Sequence, residues 1–290
     1  MYRYSLDKST KKFICPNCCK HTFVRFVDNE TGNYFTENHG RCDRESKCGY
    51  FEKPSQEKSC LTTLYSTPVI PINYFDYELM VSTKIKYNQN NFVKFLYKYF
   101  ELKQVNEVID KYNVGTTKHW YGATIFWQVD NYQRVRFGKV MIFNPETCKR
   151  VKNKEGKGII SSVRAILNLK DFNHKQCLFG LHLIISDLRK PIAIVESEKT
   201  AIIMSIEAPN YIWLATGSKS NLKEELLKPL KNRIVVLYPD NDSFNDWQKL
   251  VNQLKLKGYK IAISDLLEQM KLKEGSDLAD YFIENNNKIL

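Results

Sequence analysis

The sequence predicts an α/β protein whose C-terminal part is a doubly wound parallel β-sheet. From Pro191 onward, short apolar runs rich in Ile and Val alternate with segments of helical periodicity. Apolar runs without polar alternation are typical of strands buried on both faces, which favours a parallel sheet. Upstream of Pro191, other segments alternate apolar and polar residues, which predicts antiparallel sheet in an α+β region.

The predicted parallel strands have the sequences PIAIVE, YIWLA, RIVVLY and YKIAIS. The helices between them have the sequences EKTAIIMSIEA, SNLKEELLKPL and SFNDWQKLVNQLKLK, and a last helix has the sequence SDLADYFIENN. Strand–helix–strand connections of this kind are right-handed in nearly all proteins. We therefore expect an open sheet that is wound in both directions.

Acidic residues directly follow two of these strands. Glu196 ends the first strand, and Asp240 and Asp242 end the third, where strand alternation would place both aspartates on the same side. Groups at the carboxyl ends of strands in an open α/β sheet face the ligand crevice. Helix capping would explain one acid at each place, but it does not explain the paired aspartates. We expect the three carboxylates to bind Mg²⁺ or Mn²⁺, which prefer oxygen ligands.

Two lysines near these acids are candidate phosphate contacts. Lys199 follows Glu196 by three residues, and Lys219 lies in the turn that begins at Gly217, after the second predicted strand. A turn that merely leads into the next helix is the alternative interpretation of the Gly217 segment.

The region before the parallel sheet combines two helices with a basic sheet. Apolar residues recur at helical spacing from Asn90 to Tyr112, which predicts two short helices joined near Leu102. The segment that follows has β-type composition and mixes basic with aromatic residues, a combination that suits single-stranded nucleic acid. A solvated sheet face with core aromatics behind it is the alternative. The predicted nucleic-acid contacts are Arg134, Arg136, Lys139, Lys149, Arg150 and Lys152.

Four cysteines near the N-terminus form two pairs around a predicted hairpin. Cys15 and Cys18 are separated by two residues, and Cys42 and Cys48 by five. The segment between the pairs alternates apolar and polar residues around a turn at residues 29–32. Two pairs of thiols that flank a hairpin predict a zinc ribbon in which all four bind Zn²⁺, and unrelated buried thiols are the alternative.

Composition narrows the class of protein. The chain has 44 Lys+Arg against 32 Asp+Glu, a net charge of +12 that favours polyanionic partners. No segment approaches the roughly 20 apolar residues of a membrane span, and the N-terminus lacks the apolar region of a secretion signal. We therefore expect a cytoplasmic protein with no membrane partner, in which the eight cysteines stay reduced.

Composition shifts also predict the domain boundaries. Residues 1–55 form the zinc ribbon, and a segment with several prolines at 56–72 forms a linker. Residues 73–188 form the α+β subdomain with the basic sheet, and residues 189–290 form the domain with the parallel sheet.

These motifs, in this order, resemble those of bacterial and phage primases of the DnaG type. A hydrophobic strand that ends in Glu, followed downstream by Asp-x-Asp, is similar to the TOPRIM pattern, here IAIVESEKTA and YPDNDSF. The segments LFGL and EGSDLADYF are similar to further primase segments before and after these motifs. The resemblance covers nearly the whole chain, and the economy of the sequence looks like a primase of a mobile element or phage.

The resemblance implies a C-terminal TOPRIM domain, preceded by a primase-type basic subdomain and a zinc ribbon. It implies primer synthesis in DNA replication, with Glu196, Asp240 and Asp242 as catalytic residues, a single-stranded DNA template and nucleoside triphosphates as substrates. Any replicative helicase would be a separate chain. Two alternatives are a TOPRIM nuclease that uses the same acids and a non-catalytic zinc-ribbon DNA-binding accessory protein. The second is favoured by Ser197 and Asn245, which stand where the family has glycine.

Overall fold

The chain forms two compact units, Met1–Val69 and Ile70–Leu290, here called the N-terminal and C-terminal units. The computed structural model describes residues 3–44, 47–54, 71–240, 242–270 and 277–286. Most of the predicted linker therefore lies outside the described residues. Within those ranges, no helix is both long enough and apolar enough to cross a membrane.

The N-terminal unit is an antiparallel sheet built around one long strand. Its strands are β1 (Tyr4–Leu6), β2 (Phe13–Ile14), β3 (His21–Asp28), β4 (Gly40–Cys42) and β5 (Phe51–Glu52). The order is β1-β3-β4-β5, and β2 also pairs with β3. The predicted turn follows β3, where Gly32 has a φ of +72°. The chain then returns through a single bridge between Val27 and Tyr34, so the main partner of β3 is β4.

Three helices begin the described part of the C-terminal unit: α1 (Tyr77–Ser82), α2 (Asn91–Tyr99) and α3 (Leu102–Lys111). Asn90 caps α2, because its side chain accepts hydrogen bonds from the backbone N–H groups of Phe92 and Val93. Glu101 and Gln104 form a capping box at the start of α3. These caps explain why one stretch of helical periodicity divides into two helices near Leu102, as predicted.

An antiparallel sheet follows, in the order β6-β7-β8-β9. Its strands are β6 (Val114–Thr117), β7 (Ala123–Val129), β8 (Val135–Met141) and β9 (Ile160–Ser162), and the short helix α4 (Val163–Ile166) comes next. Every residue of β7 is buried, whereas β8 alternates in part between buried and half-buried positions. Asp130 closes the β7–β8 turn, because its carboxylate accepts hydrogen bonds from the N–H groups of Tyr132 and Arg134.

The predicted parallel sheet is present, with four strands in the order β11-β10-β12-β13. Its elements are β10 (Ile192–Val195), α5 (Glu198–Glu207), β11 (Ile212–Ala215), α6 (Glu224–Leu227), β12 (Val235–Leu237), α7 (Phe244–Leu256), β13 (Ile261–Ile263), α8 (Leu266–Gln269) and α9 (Leu278–Asn286). Sequence periodicity predicted all of these except the short helix α8. Strand β10 lies between β11 and β12, so the residue after it is placed centrally.

The LFGL segment joins the two sheets of the C-terminal unit. Phe179 pairs with Ala215 of β11 in antiparallel fashion, through N–H···O bonds of 2.9 and 3.1 Å. Gly180 has a φ of +79°, and a Cβ atom there would lie 3.1 Å from the carbonyl oxygen of Trp213. The glycine is therefore required for the chain to turn away from β11 at this point.

The C-terminal unit has two buried apolar clusters, and the larger one runs through both of its sheets. Phe92, Ile109 and Phe126 from the helical and antiparallel regions belong to the same buried cluster as Ile194 and Leu214 from the parallel sheet. The core therefore crosses the boundary predicted at residue 188, and the division into two domains there stays a prediction.

Candidate functional site

The carboxyl ends of β10 and β12 open into a cleft of about 460 Å³. Glu196 and Asp240 both lie in its wall, as the sequence predicts for residues at the ends of neighbouring parallel strands. The other charged residues that line the cleft are Lys139, Lys149, Arg150, Lys152, Glu198, Lys199, Lys219, Asp277 and Asp280. The cleft thus combines an acidic wall with a set of cations.

Glu196 is buried, with only 8% of its surface exposed. Its Oε1 atom has no hydrogen-bond partner among the described residues. Burial raises the pKa of the Glu196 carboxyl more than the Ser243 hydroxyl and the backbone N–H of Asp240 lower it. A buried carboxylate oxygen without a partner costs free energy, which a bound cation would offset.

Asp240 is half-buried beside Glu196. Burial, followed by the negative charges of Glu196 and Asp277, raises the pKa of Asp240 to about 8. Two neighbouring carboxyl groups that both resist ionisation provide the hard oxygen ligands that Mg²⁺ and Mn²⁺ prefer. These residues therefore fit a divalent cation, on the basis of their donor atoms and the orphaned oxygen of Glu196.

Asp242 is not among the residues that line the cleft, and whether it joins Glu196 and Asp240 at a metal stays a prediction. Strand β12 ends at Leu237, so the alternating orientation of a strand no longer applies at residue 242. The exposed Asp242 carboxylate accepts a hydrogen bond of 2.9 Å from Ser243 Oγ and lies 3.3 Å from Lys219 Nζ. The Ser243 hydrogen bond and then Lys219 lower its pKa. No three carboxylates in the described chain have oxygens within 4.8 Å of one another.

The two residues that stand where the resembled primases have glycine occupy ordinary backbone conformations. Ser197 precedes α5 with a φ of −100°, in the extended region that any residue adopts. Asn245 lies in the first turn of α7. Neither position requires a glycine in this chain, so the substitutions bring no backbone strain to the site.

A buried ion pair connects the antiparallel sheet to the cleft. Lys139 of β8 donates to both carboxylate oxygens of Glu198, at 3.1 and 3.0 Å, and to the carbonyl oxygen of Gly217 at 2.7 Å. The Glu198 side chain is 2% exposed. Gly217 has a φ of +81°, and a Cβ atom there would lie 3.0 Å from Glu198 Oε1. Sequence reasoning missed Glu198, although an acid that opens an otherwise apolar helix was a visible signal.

Arg134 and Arg136 do not line the cleft, although the sequence predicts them as nucleic-acid contacts together with the lysines and the arginine that do. Their Nε atoms donate to Asp130 Oδ2 at 2.9 and 2.7 Å. Burial opposes ionisation of Asp130, yet Arg134 and Arg136 hold its pKa below the usual value. Both guanidinium groups also lie over the ring of Tyr74, at 4.8 and 5.0 Å from its centre. Their role in nucleic-acid binding stays a prediction.

Lys149, Arg150 and Lys152 are the exposed cations of the cleft. None of the three forms an ion pair with a carboxylate in the parts of the chain that are described. Unpaired cations beside an acidic wall are suited to phosphate groups, whose oxygens would meet the basic residues while a bound metal neutralises the acids.

The two lysines predicted to contact phosphate differ in their surroundings. Lys199 is buried, and its Nζ lies 3.1 Å from Asp277 Oδ2 and 3.1 Å from Asp280 Oδ1. Burial disfavours its charge, but Asp277 and Asp280 outweigh burial and raise its pKa. Lys219 is partly exposed and contacts Asp242. Of the two, Lys219 is the one whose ammonium can turn toward a ligand.

The four predicted zinc ligands come together in the N-terminal unit. The Sγ atoms of Cys15, Cys18, Cys42 and Cys48 all lie within 4.8 Å of one another. The distance is 3.7 Å from Cys15 to Cys48 and 3.9 Å from Cys18 to Cys42. Four thiolates at Zn–S bond lengths of about 2.3 Å form a tetrahedron with edges of about 3.8 Å, so the cluster has the dimensions of a zinc site.

The thiols of this cluster are tuned by their surroundings. A hydrogen bond from the backbone N–H of Lys20 is the main cause that lowers the pKa of Cys18, to about 6. Burial raises the pKa of Cys15 to about 11. The Thr22 hydroxyl lies 3.3 Å from Cys42 Sγ and lowers the pKa of that thiol. Sequence reasoning missed Thr22, which supports the thiolate form of a ligand.

Two family models match the chain. The model described as Domain of unknown function (DUF6371) matches residues 90–241. A zinc beta-ribbon finger model matches residues 2–60, in agreement with the four-cysteine cluster. No curated protein matches the chain.

The chain is also similar to solved primase structures. One is the DnaG primase catalytic domain bound to ssDNA, with 17% identity over 71% of this chain and 73% of that chain and a TM-score of 0.45. Another is the Aquifex aeolicus primase with its zinc-binding and RNA polymerase domains, with 16% identity over 98% and 79% and a TM-score of 0.42. A third is the primase fragment of the bacteriophage T7 primase-helicase, with 13% identity over 96% and 96% and a TM-score of 0.44.

Proposed function

The chain belongs to the family described as Domain of unknown function (DUF6371), a description that names no activity, and from its own side chains we propose that it is a metal-dependent primase-type nucleotidyltransferase. It would copy a single-stranded DNA template into short primers from nucleoside triphosphates. One observation carries the proposal. Glu196, which has a buried oxygen without a hydrogen-bond partner, and Asp240 line the same cleft as several cations that form no ion pair among the described residues.

Glu196 and Asp240 would hold Mg²⁺ or Mn²⁺, and Asp242 would join them by leaving Lys219. When bound, the ion would polarise an α-phosphate and favour the ionised form of the attacking 3′-hydroxyl. The acids themselves position the cation, and Ser243 stabilises the orientation of Asp242 through its 2.9 Å hydrogen bond. The ordinary backbone of Ser197 supports catalytic competence, because the site needs no glycine there.

Lys149, Arg150 and Lys152 would bind the phosphates of the template or of the incoming nucleotide. Lys219 would gain a phosphate partner once Asp242 turns toward the metal. The charge of +12 supports a polyanionic substrate, because each phosphate contact releases counterions.

The finer assignments depend on the sequence resemblance. The parallel sheet, with acids after β10 and β12, would be a TOPRIM domain, and the zinc ribbon would contact the template. A replicative helicase would be a partner of this chain, and the cytoplasm would be the place where the two work. A mobile element or phage would be the genetic context of such a primase.

The test supplies the zinc-loaded full chain with single-stranded DNA, ribonucleoside triphosphates and Mg²⁺ or Mn²⁺. We expect short RNA products that disappear with Asp240→Ala and persist with Asp171→Ala, a matched change at an exposed aspartate outside the cleft. A parallel reaction with deoxynucleotides identifies the primer chemistry. Nicked template without new products would instead indicate a nuclease. Tight, salt-sensitive binding of the template without nicking or primer synthesis would indicate a DNA-binding accessory protein. Nicking alone or binding alone would each overturn the proposal.

A further inference from the structure

The acids of the cleft fall into two groups according to whether the protein itself supplies a cation. Glu198 is paired with Lys139, and both Asp277 and Asp280 are paired with Lys199. Glu196 and Asp240 form no ion pair with any described residue, and Glu196 retains an oxygen without a partner. Among the acids of the cleft, Glu196 and Asp240 are therefore the two that need a cation from outside the protein.

Lys199 is held between two aspartates from the start of α9. Its Nζ lies 3.1 Å from an oxygen of each, and its side chain is 10% exposed. Thr200 Oγ1 donates to Asp277 Oδ2 at 2.8 Å. The backbone N–H of Asp280 donates to Asp277 Oδ1 at 2.9 Å. Asp277 therefore already has partners on both oxygens.

This arrangement resembles the surroundings of a bound cation. Two carboxylates converge on one buried positive charge, and a hydroxyl and a backbone N–H donate further hydrogen bonds to one of them, Asp277. A divalent ion at the same point would meet the charge of Lys199 at close range in a poorly hydrated region, where repulsion is strong. The ammonium cannot simply move away, because it is buried on the first turn of α5.

We infer that Lys199 is a built-in cation that takes the place of a second divalent ion between Asp277 and Asp280, so that the cleft binds one such ion, at Glu196 and Asp240. This inference rests on the proposed function only for the place of that single ion. Lys199 is then a positioning residue that fastens α9 to α5 beside the metal, and its ammonium is not available to contact phosphate. The positive charge of a second ion is supplied permanently by the chain.

The test counts Mn²⁺ ions on the zinc-loaded full chain by the electron paramagnetic resonance signal of free Mn²⁺, without nucleotide. We expect one site on the unmodified chain and one on Asp277→Asn. Asp240→Asn should weaken that site by at least about tenfold, because a ligand oxygen is lost. Two sites on the unmodified chain, one of which disappears with Asp277→Asn, would overturn the inference.

Lys199→Met supplies the converse measurement. It leaves the buried carboxylate of Asp277 and the half-buried carboxylate of Asp280 without their cation, and we expect a second Mn²⁺ to bind, whereas Lys149→Met should add none. A Lys199→Met protein that folds, as judged by circular dichroism, and still binds one ion would count against the inference. If this variant does not fold, the count on Asp277→Asn decides.

The outcomes separate the two proposals. One Mn²⁺ per chain without primer synthesis would support the built-in cation and contradict the nucleotidyltransferase. Primer synthesis with two Mn²⁺ ions per chain would do the reverse. Absence of any Mn²⁺ binding would remove the metal site and this inference with it.

Discussion

Replacement of Lys139 by methionine should destabilise the C-terminal unit strongly. The side chains of Lys139 and Glu198 are 15% and 2% exposed, they lie 3.0 Å apart, and both line the cleft. Removing one partner of a buried ion pair leaves an uncompensated charge, which costs about 3–5 kcal/mol. The carbonyl of Gly217 loses the same donor, so we expect the measured loss at the upper part of this range.

The double variant Lys139→Met with Glu198→Leu isolates the pairwise contribution. Replacing both partners of a buried pair by apolar groups is often neutral or stabilising. The double variant should therefore recover most of the loss, with about 1–3 kcal/mol remaining for the unsatisfied Gly217 carbonyl. A coupling free energy of about 2 kcal/mol or more between the two changes would identify them as one unit.

Urea unfolding followed by tryptophan fluorescence is the appropriate assay. All four tryptophans, Trp120, Trp127, Trp213 and Trp247, belong to the C-terminal unit, so the signal reports that unit alone. Lys149→Met is the matched control at an exposed lysine of the same cleft and should stay within about 0.5 kcal/mol of the parent. A loss below about 1 kcal/mol for Lys139→Met, with weaker binding of single-stranded DNA, would refute the structural role and support the predicted contact of Lys139 with nucleic acid.

Three further predictions concern the ligands. Changing Lys149, Arg150 and Lys152 together to methionine should make the affinity for single-stranded DNA less dependent on salt. The slope of log affinity against log salt should fall in magnitude by about 2, because each phosphate contact contributes about 0.7. An unchanged slope would exclude these three residues as phosphate contacts. Because Asp240 has a pKa of about 8 and is protonated below it, Mn²⁺ must displace a proton, so affinity measured by titration should rise about tenfold per pH unit from pH 6 to 8; a flat profile would contradict this. Zinc analysis of the purified chain should find about one ion, retained less well after Cys18→Ser; zinc-free protein would argue against the ribbon.

Local signals in the sequence predicted much of the fold because the deciding interactions are themselves local. The strand after Pro191 was visible from its unbroken Ile and Val content, and the break between α2 and α3 coincides with the capping box at Glu101. The neutralisation of Arg134 by Asp130 was also within reach, since the two residues are four apart across a tight turn. The prediction of a nucleic-acid contact considered the basic residues of this segment and did not pair them with Asp130.

The balance of charge inside the cleft could not be derived in the same way. Lys139 and Glu198 are 59 residues apart, and their contact depends on how β8 packs beside the end of the parallel sheet. Lys199 meets Asp280 across 81 residues. The sequence identifies which residues carry charge, but tertiary packing decides which of them form ion pairs over such separations. Only the charged residues that remain without an ion pair are available to bind a ligand.

The contact between Phe179 and Ala215 has a consequence for aggregation. Strand β11 lies at one edge of the parallel sheet, and an uncovered edge offers its N–H and C=O groups as a template for a strand of another molecule. Phe179 occupies both groups at the carboxyl end of β11. Addition of a foreign strand is thereby blocked beside the cleft. At the opposite edge, no strand of the described residues pairs with the outer side of β13, so intermolecular sheet growth or strand exchange would begin there.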